Sequence, residues 1–160
     1  MELKDYSFSD AKLQGGATFP LSRITDNPEE KGYIKVRYIY STYITQVMSA
    51  IAEEYRKEHG IVLKDDDNLD QNVFAGIKSK EVRDRLGKQA IAKHVIAGWE
   101  GITLNGEVYE YNETNAYDLM DKPIFKKISD AIMEFASEEV NYRERSVQEL
   151  KKKPEELPVG

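Results

Sequence analysis

An α+β fold, a small and mostly helical domain with an N-terminal strand region and a short β-hairpin, is what the sequence predicts. Three observations carry that prediction. Residues 33–40, read as YIKVRYIY, place apolar side chains at the period of a half-buried strand. Two longer stretches, 42–59 and 79–97, repeat apolar residues every three or four positions, the spacing that stacks side chains on one face of a helix. Further on, Asn105 and Gly106 suit the two positive-φ positions of a tight hairpin turn. At 160 residues and 18.4 kDa the chain has material for one core with arms, and a second enzyme-sized domain does not fit.

Taken in order, residues 7–25 hold short apolar positions broken by Gly15, Gly16 and Pro20, which suits one or two short strands or an extended arm. Residues 26–32 are a turn by composition. In the strand that follows, Ile34, Val36 and Tyr38 share one side while Lys35, Arg37 and Ile39 share the other. From about Thr42 to His59 an apolar stripe runs through Ile44, Val47, Met48, Ile51 and Tyr55; Ser41 or Thr42 can cap this helix and Gly60 can end it. Residues 64–72 interrupt the pattern and read as a solvated loop. A second helix runs from a Ser79 cap to about Ala97, facing Val82, Leu86, Ala90, Ile91 and Val95 inward, with Gly98 at its end.

The hairpin spans 102–111, with Ile102 and Leu104 before the turn and Val108 after it, packed against the helical core. Helical pattern returns at 114–121 and again beyond Pro123, where Ile124, Ile128, Ile132 and Phe135 lie on one stripe. Asp121 can cap that helix, and Pro123 is tolerated in its first turn because the missing N–H has no intrahelical role there. A last polar helix covers about Tyr142 to Lys153. The chain thus divides into an N-terminal strand or arm region (1–40), a helical core with the hairpin (41–140) and a polar C-terminal helix and tail (141–160).

Composition narrows the function classes. A formal net charge of −6 argues against a nucleic-acid binder, which needs clustered Lys and Arg, although a local basic patch is compatible with it. The absence of cysteine excludes disulfides and thiolate chemistry and fits a reducing compartment. The first thirteen residues have neither a basic n-region nor an apolar h-region, and no window approaches 18 apolar residues. Secretion by signal peptide and membrane spanning are therefore not expected, and the expected location is the cytoplasm. Mean hydropathy is −0.63, yet ten Tyr and five Phe supply core material, so a folded chain is expected.

No motif reads as a reactive centre. Starting a calcium loop at Asp66 places Asn68 and Asp70 at alternating positions, but Gln71 falls where a sharp Gly turn is needed and Ile77 where a bidentate Glu is needed; a solvated loop is the simpler reading. His59 and His94 lie 35 residues apart without a second ligand at metal spacing, so packing is expected of His94 before base or metal chemistry. Glu100, Glu107, Glu110 and Glu113 can be imagined as paired carboxylates beside aromatic rings, but Glu is abundant throughout the chain. No Gly-x-Ser-x-Gly, phosphate loop or Gly-x-Gly-x-x-Gly is present. Tyrosines cluster instead: Tyr33, Tyr38, Tyr40 and Tyr43 at the strand–helix junction, and Tyr109, Tyr111 and Tyr117 around the hairpin. Tyrosine covers apolar area and offers a hydroxyl, which serves both core edges and protein interfaces. The single tryptophan, Trp99, sits between glycines and is expected to act as a wedge folding back over Val95 and Ile91 to anchor the hairpin to the helix.

Residues 91–119 carry a further pattern: Gly98, Trp99, Glu100, Gly101 and Ile102, then Asn105 and Gly106, an aromatic return through Tyr109 and Tyr111, and Asn115 and Ala116 opening a helix. This segment resembles the central part of tail assembly chaperones of long-tailed bacteriophages. Pro123, Ile124 and Phe125 resemble the opening of that family's next helix, the stretch 135–151 with Asn141, Tyr142 and Arg143 its ending, and residues 33–38 its early basic strand. About 75 residues resemble the family well, while the acidic loop near residue 66 departs from it. The resemblance implies a non-catalytic adaptor in the cytoplasm of the infected bacterial host. Such an adaptor binds the long helical tape measure protein, keeps it soluble and helps recruit tail tube protein, with no cofactor, metal, nucleic acid or membrane involved and self-association left open. Its structural motif would be Gly98, Trp99, Glu100, Gly101, Asn105 and Gly106, and the candidate protein contacts are Tyr38, Tyr43, Tyr109, Tyr111 and Tyr117. The rival class is a phage-encoded inhibitor or regulator that covers a host protein's surface, which small size and acidic charge also suit.

Overall fold

A three-stranded antiparallel sheet forms the centre of the protein in the computed structural model, which describes residues 2–64 and 72–144. Its strands are β1 (Ala17–Pro20), β2 (Tyr33–Val36) and β3 (Ile96–Glu100), in the order β1-β2-β3. The alternation read in residues 33–36 is realised, since Ile34 and Val36 are completely buried. Register then builds two apolar rows across the sheet, Phe19–Ile34–Trp99 and Ala17–Val36–Ile96, so one face is committed to the core.

The N-terminal region is less extended than expected. A 3-10 turn at Leu3–Tyr6, a short helix α1 (Asp10–Gly15) capped by Ser9 and another, α2 (Ser22–Thr25), surround the single strand β1. Helix α3 (Thr42–Glu58) matches its predicted extent. Ser41 Oγ accepts from the Ile44 N–H, Ile44 of the stripe is buried and Val47, Met48, Ile51 and Tyr55 are half-buried, with Ala52 buried beside them, and Gly60 adopts φ +62° just past the end. Arg56 of α3 is 7% exposed and donates to the Val73 and Ala75 carbonyls at 2.9 and 3.3 Å, pinning the segment that precedes α4 to α3. Most of the solvated loop read at 64–72, with the calcium question it raised, lies outside the described residues.

The second helix ends earlier than its periodicity suggests. Helix α4 (Lys80–Ala90) starts at a Ser79 cap, passes into one π-helical turn, Ile91–Val95, and then becomes β3 at Ile96. Gly98 therefore does not end a helix; it sits in a strand with φ +157°, beside the irregular register at Lys35/Val36. The reason is tertiary. Ile96 gains the partner Val36 and Trp99 the partner Ile34, and a helix continued to Ala97 would forgo both pairs and their burial.

The hairpin is short, with β4 (Thr103–Leu104) and β5 (Glu107–Val108) joined by Asn105 at φ +54° and Gly106 at φ +80°, as the Asn-Gly pair predicts. Its four strand residues are exposed, so it packs against the core only at its base, where the Tyr109 N–H donates to the Ile102 carbonyl at 2.9 Å. Helix α5 (Glu113–Asp121) follows an Asn112 cap. A 3-10 turn at Pro123–Phe125 then leads into α6 (Lys126–Ser137). Ile132 and Phe135 are buried as read, but Ile124 is 78% exposed, because three residues per turn rotate it off the stripe that 3.6 would have continued. Asp121 ends α5 and pairs with Lys88 at 2.8 Å instead of capping α6.

Beyond α6, a 3-10 turn at Glu139–Tyr142 buries Tyr142, whose hydroxyl donates to the Val36 carbonyl at 2.9 Å. Arg143 forms an isolated bridge with Phe8, so Tyr142 and Arg143 do not begin a helix; the remainder of the polar helix read to Lys153 lies outside the described residues. Helices α5 and α6 pack on each other, and the π-helical turn packs on α4 and α5, which places the sheet, turn and helices around one core. The fold is a small, mostly helical α+β domain with an N-terminal strand region and a short hairpin.

Candidate functional site

The five candidate tyrosines separate into three places. Around β3, Trp99 is 7% exposed and its Nε1 donates to the Tyr109 carbonyl at 2.7 Å. Tyr109 stacks against the indole at 5.8 Å and 14°, and Tyr111 meets it edge-on at 5.2 Å and 79°. Both hydroxyls are already used inside the fold: Tyr109 donates to the Asn115 carbonyl at 3.3 Å and Tyr111 to the Ile96 carbonyl at 3.0 Å. Burial raises the pKa of both phenols, with Asp118 adding to the rise at Tyr109 and Arg37 opposing it at Tyr111. Tyr117 on α5 is half-buried and borders a shallow cleft of about 300 Å³ with Gln89 and Glu113. Trp99 and its two tyrosines thus tie the hairpin's base and the start of α5 to the edge of the sheet.

Glycine completes that corner. Gly101 holds φ +82°, and a Cβ placed there would lie 2.6 Å from the Gly32 Cα. The chain leaving β3 and the chain entering β2 therefore touch backbone to backbone, a contact that only glycine permits. Glu100, between Trp99 and Gly101, is exposed, as are Glu107, Glu110 and Glu113, which are spread over strand, hairpin, loop and helix.

Tyr38 and Tyr43 meet elsewhere, in an open groove of about 600 Å³ between the N-terminal segment and the start of α3. Phe8 and Leu13 line it from the N-terminal segment, Tyr40 and Tyr43 from the chain entering α3, and Tyr38 and Arg37 from the residues that follow β2. Tyr38 is held from behind by Tyr142 at 5.0 Å, with Phe8 and Tyr40 each at 5.7 Å. Burial, then Glu139 and Tyr40, raise its pKa, so it remains a protonated donor. Tyr40 is 68% exposed, and Phe8 and Tyr43 are also exposed. Arg37 is fixed by Nε donating to the Gln14 carbonyl at 2.7 Å and Nη1 to the His94 carbonyl at 2.9 Å, and its guanidinium lies 6.0 Å from the Tyr43 ring. The Tyr43 hydroxyl shares a 3.1 Å hydrogen bond with His94 Nδ1. Burial, with Lys93 and Arg37 adding to it, lowers the His94 pKa and favours the neutral ring, whose Nδ1 can accept from Tyr43.

Phe8 and Arg37 belong to this groove but no sequence signal selects them. Phe8 arrives through its bridge to Arg143, 135 positions away in the chain. Tyr40 had a local signal, membership of the 33–43 tyrosine cluster. His59 and His94 do come to border one polar groove of about 540 Å³ between α3 and α4, although His59 is stacked on Tyr55 at 3.9 Å and bonded at Nδ1 to that residue's carbonyl. Among the described residues no group of three or more His, Asp or Glu is placed to hold a metal ion, and no helix is long and apolar enough to cross a membrane.

Comparison with known proteins gives the chain's kinship. The family model described as YdaY prophage protein matches residues 40–153, from Tyr40 at the groove's edge through α3, α4, α5 and α6, and the chain belongs to that family. No curated protein and no solved structure matches the chain.

Proposed function

We propose that this member of the prophage family is a non-catalytic assembly adaptor of the tail-chaperone kind, acting in the cytoplasm of the bacterial host. Its client is the phage tape measure protein, which it keeps soluble while tail tube subunits gather around it. The observation that supports this reading is the groove lined by Phe8, Tyr38, Tyr40 and Tyr43, an aromatic concave surface of peptide-binding size on an acidic domain. Exposed rings on a shallow groove suit reversible binding, since they bury apolar area without demanding many ion pairs. The prophage family supports a phage-associated role, and the tail-chaperone class rests on the resemblance across residues 91–119.

Calorimetry against overlapping fragments of the tape measure protein from the same prophage tests it. Saturable binding with a negative heat-capacity change is expected, and affinity that largely survives added salt. Absence of binding by the folded protein across all fragments refutes the proposal. The acidic net charge also suits a host-protein inhibitor. That alternative predicts a stoichiometric complex with one identified host enzyme, inhibited in proportion to the adaptor added.

A further inference from the structure

We propose that the aromatic groove takes an extended, proline-containing peptide segment bearing an acidic residue that pairs with Arg37. The inference rests on the preceding reading only for which protein supplies the segment; what it adds is the chemistry of the segment.

The walls of the groove are apolar rings, and the polar groups among them include unused donors beside the Asp10 carboxylate. The Tyr38 and Tyr40 hydroxyls have no hydrogen-bond partner among the described residues. Arg37 uses Nε and Nη1 on carbonyls and keeps Nη2 for another acceptor. An occupant must therefore bring acceptors as well as apolar surface. A helix brings few, because its carbonyls are consumed internally except in the last turn. An extended segment offers a free carbonyl at each residue, and proline both presets that conformation and lays a flat apolar ring on a tyrosine face.

Charge complementarity specifies the rest. Among the described residues no carboxylate lies within ion-pair distance of the Arg37 guanidinium, in a chain whose net charge is −6. Asp10 borders the same groove without pairing with Arg37, so it repels an acid placed beside it, and the occupant's carboxylate belongs at the guanidinium. The groove's volume of about 600 Å³ is that of a short peptide site.

The probe is a terminally blocked peptide, Pro-Leu-Pro-Glu-Leu-Pro, titrated into the full chain by calorimetry and followed by amide chemical shifts. Saturable binding is expected, with shifts at Phe8, Arg37 and Tyr43. Affinity should fall about tenfold in Tyr40→Ala, a largely exposed position whose loss leaves the fold intact. Replacing the peptide's glutamate by glutamine should cost about threefold to tenfold, without any change to the protein. No binding, equal binding by Tyr40→Ala, or an indifferent glutamate overturns the inference, as does preference for a blocked amphipathic helical peptide of the same apolar content. Concentration-dependent self-association that protects the same amides also overturns it, by giving the groove to a second copy. The two proposals fail separately: tape measure fragments that bind wild type and Tyr40→Ala alike remove the groove chemistry and spare the adaptor reading. Peptide binding without any tape measure binding does the reverse.

Discussion

Replacing Trp99 by alanine should remove about 3–5 kcal/mol of stability, the usual cost of truncating a buried large aromatic residue. The structure shows where that cost arises. The ring is 7% exposed, lies across the sheet from Ile34 and contacts Tyr109 and Tyr111, so its removal leaves a cavity bounded by a strand and two rings that are themselves tethered by hydroxyl bonds. Those tethers limit collapse into the space, which places the expected value in the upper half of the range. The Nε1 bond to the Tyr109 carbonyl contributes about 0.5–1.5 kcal/mol of the total. Trp99→Phe loses this bond and part of the ring area but keeps the aromatic wedge, and should cost about 1–2 kcal/mol. Urea unfolding read by far-UV circular dichroism is the assay, because both variants remove the chain's one tryptophan and with it the natural fluorescence signal. An unchanged urea slope is required for the comparison. A loss below about 1 kcal/mol for Trp99→Ala with the fold intact, or equal losses for both variants, would refute the argument that buried ring area holds this corner.

Two glycine substitutions should have opposite signs. Gly101→Ala combines φ +82° with a Cβ 2.6 Å from Gly32 Cα and should destabilise by about 1–3 kcal/mol in the same assay, while Gly87→Ala, inside α4 with nothing near its Cβ, should stabilise by about 0.5–1 kcal/mol. His94 supplies a pH prediction. Its folded-state pKa is lowered, so the unfolded chain binds the proton more readily, and stability should fall as pH drops below the ordinary value of 6.5 towards the lowered folded value. His94→Gln should flatten that part of the urea-midpoint profile, and an imidazole NMR titration with a midpoint at or above 6.5 would contradict it.

Local physics accounts for much of the fold's legibility. The stripe of α3 and its Ser41 cap, the Asn105-Gly106 turn and the buried Ile34 and Val36 each depend on neighbours within a few positions, where spacing and backbone preference act directly. Residues 91–97 were equally periodic, yet the helix gives way to a π-helical turn and a strand. Apolar spacing reports that Ile96 and Trp99 want burial; it cannot report that the partner is β2, some sixty positions earlier.

The candidate site divides along the same line. That Tyr38, Tyr40 and Tyr43 cluster, and that Tyr109 and Tyr111 surround the tryptophan segment, follows from their order in the chain. Which hydroxyls are consumed inside the fold and which rings face a groove depends on groups supplied from far away: Asn115 and Ile96 carbonyls for one set, Phe8, Leu13 and Tyr142 for the other. The sequence by itself determined the presence of the four helices α3 to α6, the turn and the aromatic material, because short-range sterics and periodicity settle them. Only the tertiary structure decided where α4 ends and which aromatic surface stays open, because those outcomes depend on which distant backbone arrives to share the burial.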